Sequence, residues 1–449
     1  MKRKPPASDD SLLIENGTIV TLGEPPRLLS GHALLVRRGR IAALRPRGEI
    51  DGNVARVIDA GGQLVLPGLI NAHMHFYSTL VRGLGKAKPA RDFNQILENL
   101  WWRLDRVLTL EDCHISAQVM MLAAIRHGTT TLFDHHASSG AVRGSLAAIA
   151  RAAQATGLRV SLAYEVSDRD GARIAGEGLE ENADFIRSCN RSGGDQVKAM
   201  FGLHAAFTLS DETLAAAAAS AGELGAGCHI HVAEAESDQL YGRRRHGLSV
   251  VERLARAGVL GPRAIAAHCV HLDDAEMERL AESGAMAVHN PQSNLNNGVG
   301  IADLVALARK GVLVGLGTDA MTVNMLEEVR VALWAQHLRH GPAHGFAEAA
   351  ATLFINNPRL ASRLWGEPLG VLAEGALADI ILVDYDPPTE LSESTLFGHL
   401  LFGVSQAAVD TTIVRGRVLM AQKKLVLDLD EARIAARSRE LAAALWQRF

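Results

Sequence analysis

The sequence predicts an α/β fold, in which a (β/α)8 TIM-like barrel is accompanied by a small β-sandwich formed from the N- and C-terminal segments. Eight short apolar runs alternate with long helical patterns, which is typical of βα units around a parallel sheet. β-like runs punctuated by Gly and Pro flank this alternation at both ends of the chain. The 449 residues exceed what one hydrophobic core usually fills, so an accessory domain is expected.

The predicted barrel strands alternate with helical segments that begin at good capping residues. The strands are expected at residues 64–70, 129–133, 159–164, 196–202, 227–232, 264–268, 285–289 and 312–317. Helices are expected after Thr109, Ser210 and Asp273, because such side chains accept hydrogen bonds from the free N–H groups of a first helical turn. Eight βα units of this kind predict a barrel whose catalytic groups lie at the carboxyl ends of the strands.

The flanking segments predict one composite domain. Short β-like runs precede residue 64, and the same pattern returns at residues 379–384 and 412–421. Residues 428–449 have the pattern of a C-terminal helix. We therefore expect a β-sandwich domain with a C-terminal helix from residues 1–66 and 368–449, and a catalytic barrel from residues 67–367.

Composition excludes several classes of partner. A net charge of -4, from 46 basic and 50 acidic residues, provides no basic excess for nucleic acid. The basic N-terminus is followed by polar residues 8–11, and no apolar stretch of about 18 residues appears, so no membrane association is expected and the location is expected to be cytoplasmic. Four cysteines without CxxC spacing indicate reduced thiols. A homodimer is the expected oligomeric state.

Two histidines follow the first apolar run, in the segment Asn71-Ala72-His73-Met74-His75. Side chains alternate faces along a strand, so His73 and His75 point the same way. Two imidazoles on one side can hold one metal ion. A catalytic zinc site needs about three protein ligands and an open position for water, so further ligands are expected at later strand ends.

Later strand ends carry such groups. His231 lies nearer the rim than His229, so His231 is the expected third ligand and His229 a packed, hydrogen-bonded core residue. His268 ends the sixth strand and is expected to point inward. Asp319 follows the eighth strand, where it can act as an anionic ligand and accept a proton from a metal-bound water. Structural roles alone do not easily explain so many polar groups at one end of a barrel.

These motifs resemble those of the amidohydrolase superfamily. The resemblance is carried by residues 73–75, 231–234, 268–271, 289–294 and 317–319. Within the superfamily the chain is similar to the group of triazine hydrolases, guanine deaminase and adenosine-type deaminases. Residues 99–105 and 290–297 look most like SsnA-type aminohydrolases.

The resemblance implies a one-metal hydrolytic site. It implies one divalent metal ion held by His73, His75, His231 and Asp319, with Glu234 and His268 completing the catalytic set. Zinc is expected, while iron and manganese use similar ligands. Binuclear relatives use a lysine on strand four, but Lys198 lies six residues before His204, near the other end of the barrel.

Substrate contacts are expected from loops near this site. The candidate contacts are His204, Trp102, Asp105, Gln292 and Asn294. His204 matches a family position that contacts substrate, although Ala205 and Ala206 follow it where relatives often carry a Ser-Pro-like pair. Trp101 and Trp102 could stack on a flat heterocycle or belong to the core. His135 and His136 could contact substrate or a second metal, and a supporting loop role is favoured.

The expected reaction is hydrolytic deamination of a purine-like, pterin or related nitrogen heterocycle. A divalent metal lowers the pKa of bound water to about 7. Asp319 would take the proton of that water, and Glu234 would protonate the ring nitrogen and help ammonia leave. The first alternative is hydrolysis of another C–N or C–Cl bond, in a triazine-type, imino or amide substrate. The second is a non-catalytic metal-binding protein.

Overall fold

The computed structural model describes residues 11–50 and 53–449, and the β-like run at 12–14 begins the described chain. The strands are β1 (Ser11–Glu15), β2 (Thr18–Val20), β3 (Leu28–Leu29), β4 (His32–Arg37), β5 (Arg40–Pro46), β6 (Arg56–Asp59), β7 (Leu64–Pro67), β8 (Leu69–Met74), β9 (Thr129–His136), β10 (Arg159–Tyr164), β11 (Val197–Ala199), β12 (Phe201–Ala205), β13 (Cys228–Val232), β14 (Ile265–His268), β15 (Met286–His289), β16 (Leu313–Leu316), β17 (Ile380–Asp384), β18 (Ala408–Val414), β19 (Arg417–Ala421) and β20 (Lys424–Leu425).

Helices connect these strands. The α-helices are α1 (Phe93–Ile96), α2 (Trp102–Val107), α3 (Leu110–Arg126), α4 (Ser145–Thr156), α5 (Ala172–Ser192), α6 (Asp211–Glu223), α7 (Glu236–His246), α8 (Val250–Arg256), α9 (Asp274–Ser283), α10 (Pro291–Asn296), α11 (Leu304–Arg309), α12 (Met325–His340), α13 (Phe346–Ala351), α14 (Asn357–Trp365), α15 (Leu396–Phe402) and α16 (Glu431–Arg448). A π-helical turn, Leu97–Trp101, joins α1 to α2, and a second, Thr352–Asn356, joins α13 to α14.

Parallel strands build the part of the fold that carries the site. One sheet has the order β11-β10-β9-β8 and the other has the order β12-β13-β14-β15-β16. Isolated parallel bridges join them at both junctions, between Val166 and Leu203 and between Met74 and Asp319. The predicted combination of parallel βα units with a β-rich region is confirmed. Among the described residues the ladders form two sheets joined by these isolated bridges, and the closed eight-stranded barrel stays a prediction.

The β-rich region unites both ends of the chain. A seven-stranded sheet has the order β20-β19-β18-β17-β7-β2-β3, in which β17 pairs antiparallel with β7. A four-stranded sheet has the order β5-β4-β1-β6. Ile14 and Leu34 of the smaller sheet share a buried apolar cluster with Val65 and Ile380 of the larger one. Burial of this shared layer stabilises the pairing of N- and C-terminal segments.

The predicted first barrel strand at 64–70 is wrong as a single element. β7 belongs to the seven-stranded sheet and β8 to the parallel sheet, with Gly68 between them donating its N–H to Asp379 O at 2.9 Å. A Cβ on Gly68 would lie 2.2 Å from Thr130 Oγ1, so the crossing requires glycine. Both strands are buried, so hydrophobicity gives no sign of the switch. The predicted strand at 196–202 likewise divides into β11 and β12.

The predicted helix starts agree with the capping geometry. Thr109 and Asp112 form a reciprocal capping box at α3, and Asp273 does the same with Glu276 at α9. The C-terminal helix α16 begins after Asp430, slightly later than expected. Within residues 11–50 and 53–449, no helix combines the length and apolar character that a membrane crossing requires. All four cysteines are free thiols, as expected.

Candidate metal centre and active site

Four side chains from distant strands converge at the carboxyl ends of the parallel sheets. His75 Nε2 lies 2.9 Å from Asp319 Oδ1 and 3.4 Å from His231 Nε2. His73 Nε2 lies 3.9 Å from the same Asp319 oxygen. All but His231 are buried, and His231 is half-buried. The structure therefore brings the four expected ligands to one point.

Hydrogen bonds orient these imidazoles for metal binding. His231 Nδ1 donates to His204 O at 2.9 Å, and His75 Nδ1 donates to His135 O. Because a carbonyl only accepts, the proton sits on Nδ1 and the Nε2 lone pair faces the centre. The Nε2 atom of His73 is buried and has no hydrogen-bond partner among the described residues. Lone pairs that face one another beside a carboxylate fit a divalent cation.

Local backbone geometry places the aspartate. Asp319 has a φ of 52°, in the left-handed region, and its N–H donates to His73 O at 3.0 Å. A Cβ on Gly317 would lie 2.7 Å from His73 O, so only glycine allows this close approach of the two strand ends. His268 also has a positive φ, of 76°. Backbone strain of this kind clusters at functional sites.

Glu234 and His268 lie beside the ligand cluster. His268 Nε2 is 3.5 Å from Glu234 Oε2 and 4.0 Å from Asp319 Oδ2. The Asn294 amide nitrogen donates to His268 Nδ1 at 2.8 Å. Since an amide nitrogen only donates, Nδ1 accepts and the imidazole proton sits on Nε2, directed toward the two carboxylates. In this tautomer His268 presents to the site an N–H that has no hydrogen-bond partner among the described residues.

Burial determines the protonation of Glu234. Burial raises the pKa of this carboxyl well above its usual range, and the neighbouring carboxylates Asp319 and Asp238 raise it further. Asn297 donates to Glu234 Oε1 at 3.4 Å and partly opposes the shift. Ser293 donates to Asp319 Oδ2, which holds the second oxygen of that carboxylate. A carboxyl with a raised pKa therefore lies close to one with a lowered pKa, which is a combination suited to general acid–base chemistry.

A cavity of about 240 Å³ opens above this cluster. We call it the central cavity. The residues that line it include His75, Tyr77, Trp101, Trp102, Asp105, Glu165, Arg169, His204, Phe207, His231, Glu234, Ser293, Asn297 and Asp319. Three expected substrate contacts, His204, Trp102 and Asp105, are among them. Gln292 and Asn294 are not among the described lining residues; Asn294 contacts His268, and the Gln292 N–H donates to Glu328 at 2.9 Å.

Sequence reasoning missed two charged lining residues, Glu165 and Arg169. Arg169 forms an ion pair with Asp105 and lies 5.4 Å from the Trp102 ring centroid. Burial raises the pKa of Asp105 to about 6, and Arg169 opposes that shift. Both missed residues follow β10 at the carboxyl end, so the rule that found Asp319 after β16 could have found them. The signal was the strand-end position alone.

The remaining histidines support the site. His135 and His136 are the last two residues of β9, so they lie in the strand and not in the loop that follows it. The His135 ring stacks on His229 with centroids 4.4 Å apart, and His229 Nε2 lies 2.9 Å from His73 Nδ1. His229 is thus a packed, hydrogen-bonded residue next to a ligand. His136 Nε2 lies 2.9 Å from Ser138 Oγ.

Comparisons with known proteins agree with this geometry. The sequence pattern of the amidohydrolase family matches residues 64–419. The 5-methylthioadenosine/S-adenosylhomocysteine deaminase of Pelotomaculum thermopropionicum is 32% identical over 445 residues, covering 98% of this chain and 99% of the relative. The 5′-deoxyadenosine deaminase of Methanosarcina mazei is 31% identical over 438 residues, covering 97% and 98%. The solved structure of an adenosine deaminase from Xanthomonas campestris with bound zinc shares the fold, with a TM-score of 0.84, 24% identity and coverage of 97% and 98%.

Proposed function

We propose that this chain, which belongs to the amidohydrolase family, is a metal-dependent aminohydrolase. It is a hydrolase acting on carbon–nitrogen bonds other than peptide bonds. It would deaminate a purine-like, pterin or related nitrogen heterocycle and release ammonia. Adenosine-type deaminases that match nearly the full chain support this reaction. The observation that carries the proposal is the joint placement of Glu234, His268 and Asp319 around converging imidazoles.

The metal would be held by His73, His75, His231 and Asp319. When bound, a divalent ion lowers the pKa of water to about 7 and so supplies a nucleophile at neutral pH. We propose zinc, with iron or manganese as alternatives, because three imidazoles and one carboxylate suit these ions. A single ion is favoured because Lys198 pairs with Ser161, three residues before the end of β10, instead of lying at the strand ends.

The protein groups would divide the proton transfers. Asp319 would accept a proton from the attacking water, because its Oδ1 lies 2.9 Å from His75 Nε2, beside the position where a metal would bind. Glu234, held protonated by burial, donates to the ring nitrogen next to the attacked carbon. His268 Nε2–H lies between these two carboxylates and orients the water. Asp319 would then pass the proton it took from the water to the leaving amino group, and Glu234 would recover a proton from the former water hydroxyl as ammonia departs.

The broader organisation fits this proposal. The catalytic barrel would span residues 67–367, and the composite β-sandwich domain residues 1–66 and 368–449, of which 1–10 and 51–52 lie outside the described residues. A small heterocyclic substrate would be the partner. Cytoplasmic location and a homodimeric state stay predictions.

An ammonia-release screen combined with metal analysis tests the proposal. Metal-replete protein would be assayed with purine nucleosides, pterins, pyrimidines and triazines, and released ammonium and chloride would both be measured. We expect ammonium from at least one purine-like or pterin substrate and about one metal ion per chain. Chloride without ammonium would favour the alternative hydrolysis, and no product with any substrate class would contradict the enzyme proposal.

A further inference from the structure

Glu165 is a buried carboxylate that the proposed mechanism does not use. It follows β10 directly, its side chain is 2% exposed, and it lines the central cavity. Its Oε1 lies 3.1 Å from His75 Nδ1 and 3.6 Å from His135 Nδ1. Oε1 nevertheless has no hydrogen bond from the described residues, because the His75 proton is directed to His135 O. A buried carboxylate oxygen without a hydrogen bond is costly and requires an explanation.

The other oxygen of Glu165 faces His204. Glu165 Oε2 and His204 Nε2 lie 3.9 Å apart, and both residues line the central cavity. At this distance the two atoms form no direct hydrogen bond, but one group placed between them can contact both. What that group must be depends on the protonation of the imidazole.

The hydrogen bonds of Thr208 determine that protonation. The Thr208 hydroxyl donates to Ala205 O at 3.0 Å, and His204 Nδ1 lies 2.9 Å from Thr208 Oγ1. A carbonyl only accepts, so the single hydroxyl proton is used there and His204 Nδ1 must donate to Thr208. At neutral pH an imidazole ordinarily carries one proton, and in His204 that proton lies on Nδ1. Its Nε2 therefore presents a lone pair to the cavity.

On this wall of the central cavity, Glu165 Oε2 and His204 Nε2 thus face each other as two hydrogen-bond acceptors, with no donor of the described residues between them. We propose that Glu165 is a specificity-determining residue that, together with His204, accepts a hydrogen bond from an N–H or O–H group of the substrate. This inference rests on the proposed function. It names the substrate class as heterocycles that carry a donor at the edge facing β10 and β12. A substrate with only lone pairs at that edge is repelled.

Matched substrates test the proposal. The heterocycle with the highest kcat/KM in the ammonia screen would be compared with two analogues. One analogue replaces its hydroxyl donors by hydrogen, and the other replaces its non-leaving N–H donors by N-methyl or hydrogen. The two arms separate an O–H source from an N–H source. We expect at least a tenfold lower kcat/KM in one arm, since a hydrogen bond to a buried charged acceptor is lost.

Variants assign that preference to Glu165. In Glu165→Gln, which keeps the shape but adds an amide donor, we expect the preference to fall below threefold while metal content remains one ion per chain. Thr208→Val frees the His204 tautomer and is expected to weaken the same preference. Glu180→Gln makes the same chemical change on an exposed side chain paired with Arg143, and serves as the control.

The outcomes separate this proposal from the proposed function. Ammonium release with equal kcat/KM in both arms, or a preference that survives Glu165→Gln, would overturn the role of Glu165 and leave the deaminase proposal standing. A second metal ion per chain that disappears in Glu165→Gln would also overturn it, because a cation would then occupy the acceptor pair. A lack of ammonium from all substrates would instead contradict the proposed function.

Discussion

His75 Nε2 lies 2.9 Å from Asp319 Oδ1, although these residues follow the first and the last parallel strands of the chain. The contact occurs where an isolated bridge between Met74 and Asp319 joins the two parallel sheets. A metal bound here would link the ends of the βα series. The proposed metal would therefore connect the two sheets as well as take part in the chemistry.

Loss of the metal should lower stability as well as activity. A ligand that binds only the folded state stabilises it by about 2.7 kcal/mol at 100 times its Kd. We expect chelator-treated protein to be inactive and to unfold several degrees lower, with recovery of both on adding zinc. His231→Ala should reduce bound metal below half an ion per chain, while His344→Ala, at an exposed histidine, should not. Thermal unfolding and elemental analysis measure this, and an unchanged metal content in His231→Ala would contradict the ligand assignment.

Glu234→Gln should abolish proton delivery without removing the metal. General acid catalysis contributes roughly 10²- to 10⁴-fold, so kcat should fall by that factor. The exposed neighbour Glu236 offers a matched control, Glu236→Gln, which should keep full activity. Ammonium release and metal analysis would be measured on both variants. Wild-type kcat in Glu234→Gln would exclude the acid role.

The buried ion pair between Arg159 and Asp379 should be a major contribution to stability. Arg159 Nε donates to Asp379 Oδ2 at 2.8 Å, and both side chains have no solvent exposure. The pair joins β10 to the segment that leads into β17. In Asp379→Ala the buried guanidinium keeps only Asp195, which bonds a different nitrogen, so the change should cost about 3–5 kcal/mol.

Urea unfolding measures this cost against a matched surface pair. Asp184 and Arg187 form an exposed ion pair, so Asp184→Ala should change the free energy of unfolding by less than about 1 kcal/mol. Equal effects of the two substitutions would show that the buried pair has no special role.

Glu328 should make stability fall as pH rises. Burial raises the pKa of this α12 carboxyl to about 8, from an ordinary value of 4.5. Between these values the folded protein binds a proton that the unfolded chain has released, so the free energy of unfolding decreases with increasing pH in this window. Relative to Glu328→Gln, the wild type should lose about 2 kcal/mol between pH 6 and pH 8.5. Urea unfolding of both proteins at the two pH values tests this, and parallel pH profiles would contradict it.

Sequence reasoning was effective where a single strand carried the information. The alternation of side chains predicted that His73 and His75 share a face, and the strand-end rule predicted that His231, His268 and Asp319 would join them. It was less effective where a buried run contained two strands, as at residues 64–70. Hydrophobic periodicity does not distinguish one long buried strand from two that belong to different sheets.

The sequence could not predict which side chains form hydrogen bonds with one another across different strands. Asn294, a predicted substrate contact, donates to His268 and so determines which nitrogen carries the proton. Glu165 and Arg169 occupied strand-end positions that resembled ordinary loop charges. Their roles depend on which side chains face them from other strands.

The sequence by itself determined which residue types form the site and that they lie at the carboxyl ends of the parallel strands. It could do so because strand periodicity and the order of βα units are local properties of the chain. Only the tertiary structure decided the direction of each donor and acceptor, since these depend on distances between strands far apart in sequence. The convergence of His73, His75, His231 and Asp319 was thus predictable, whereas the acceptor pair of Glu165 and His204 was visible only in three dimensions.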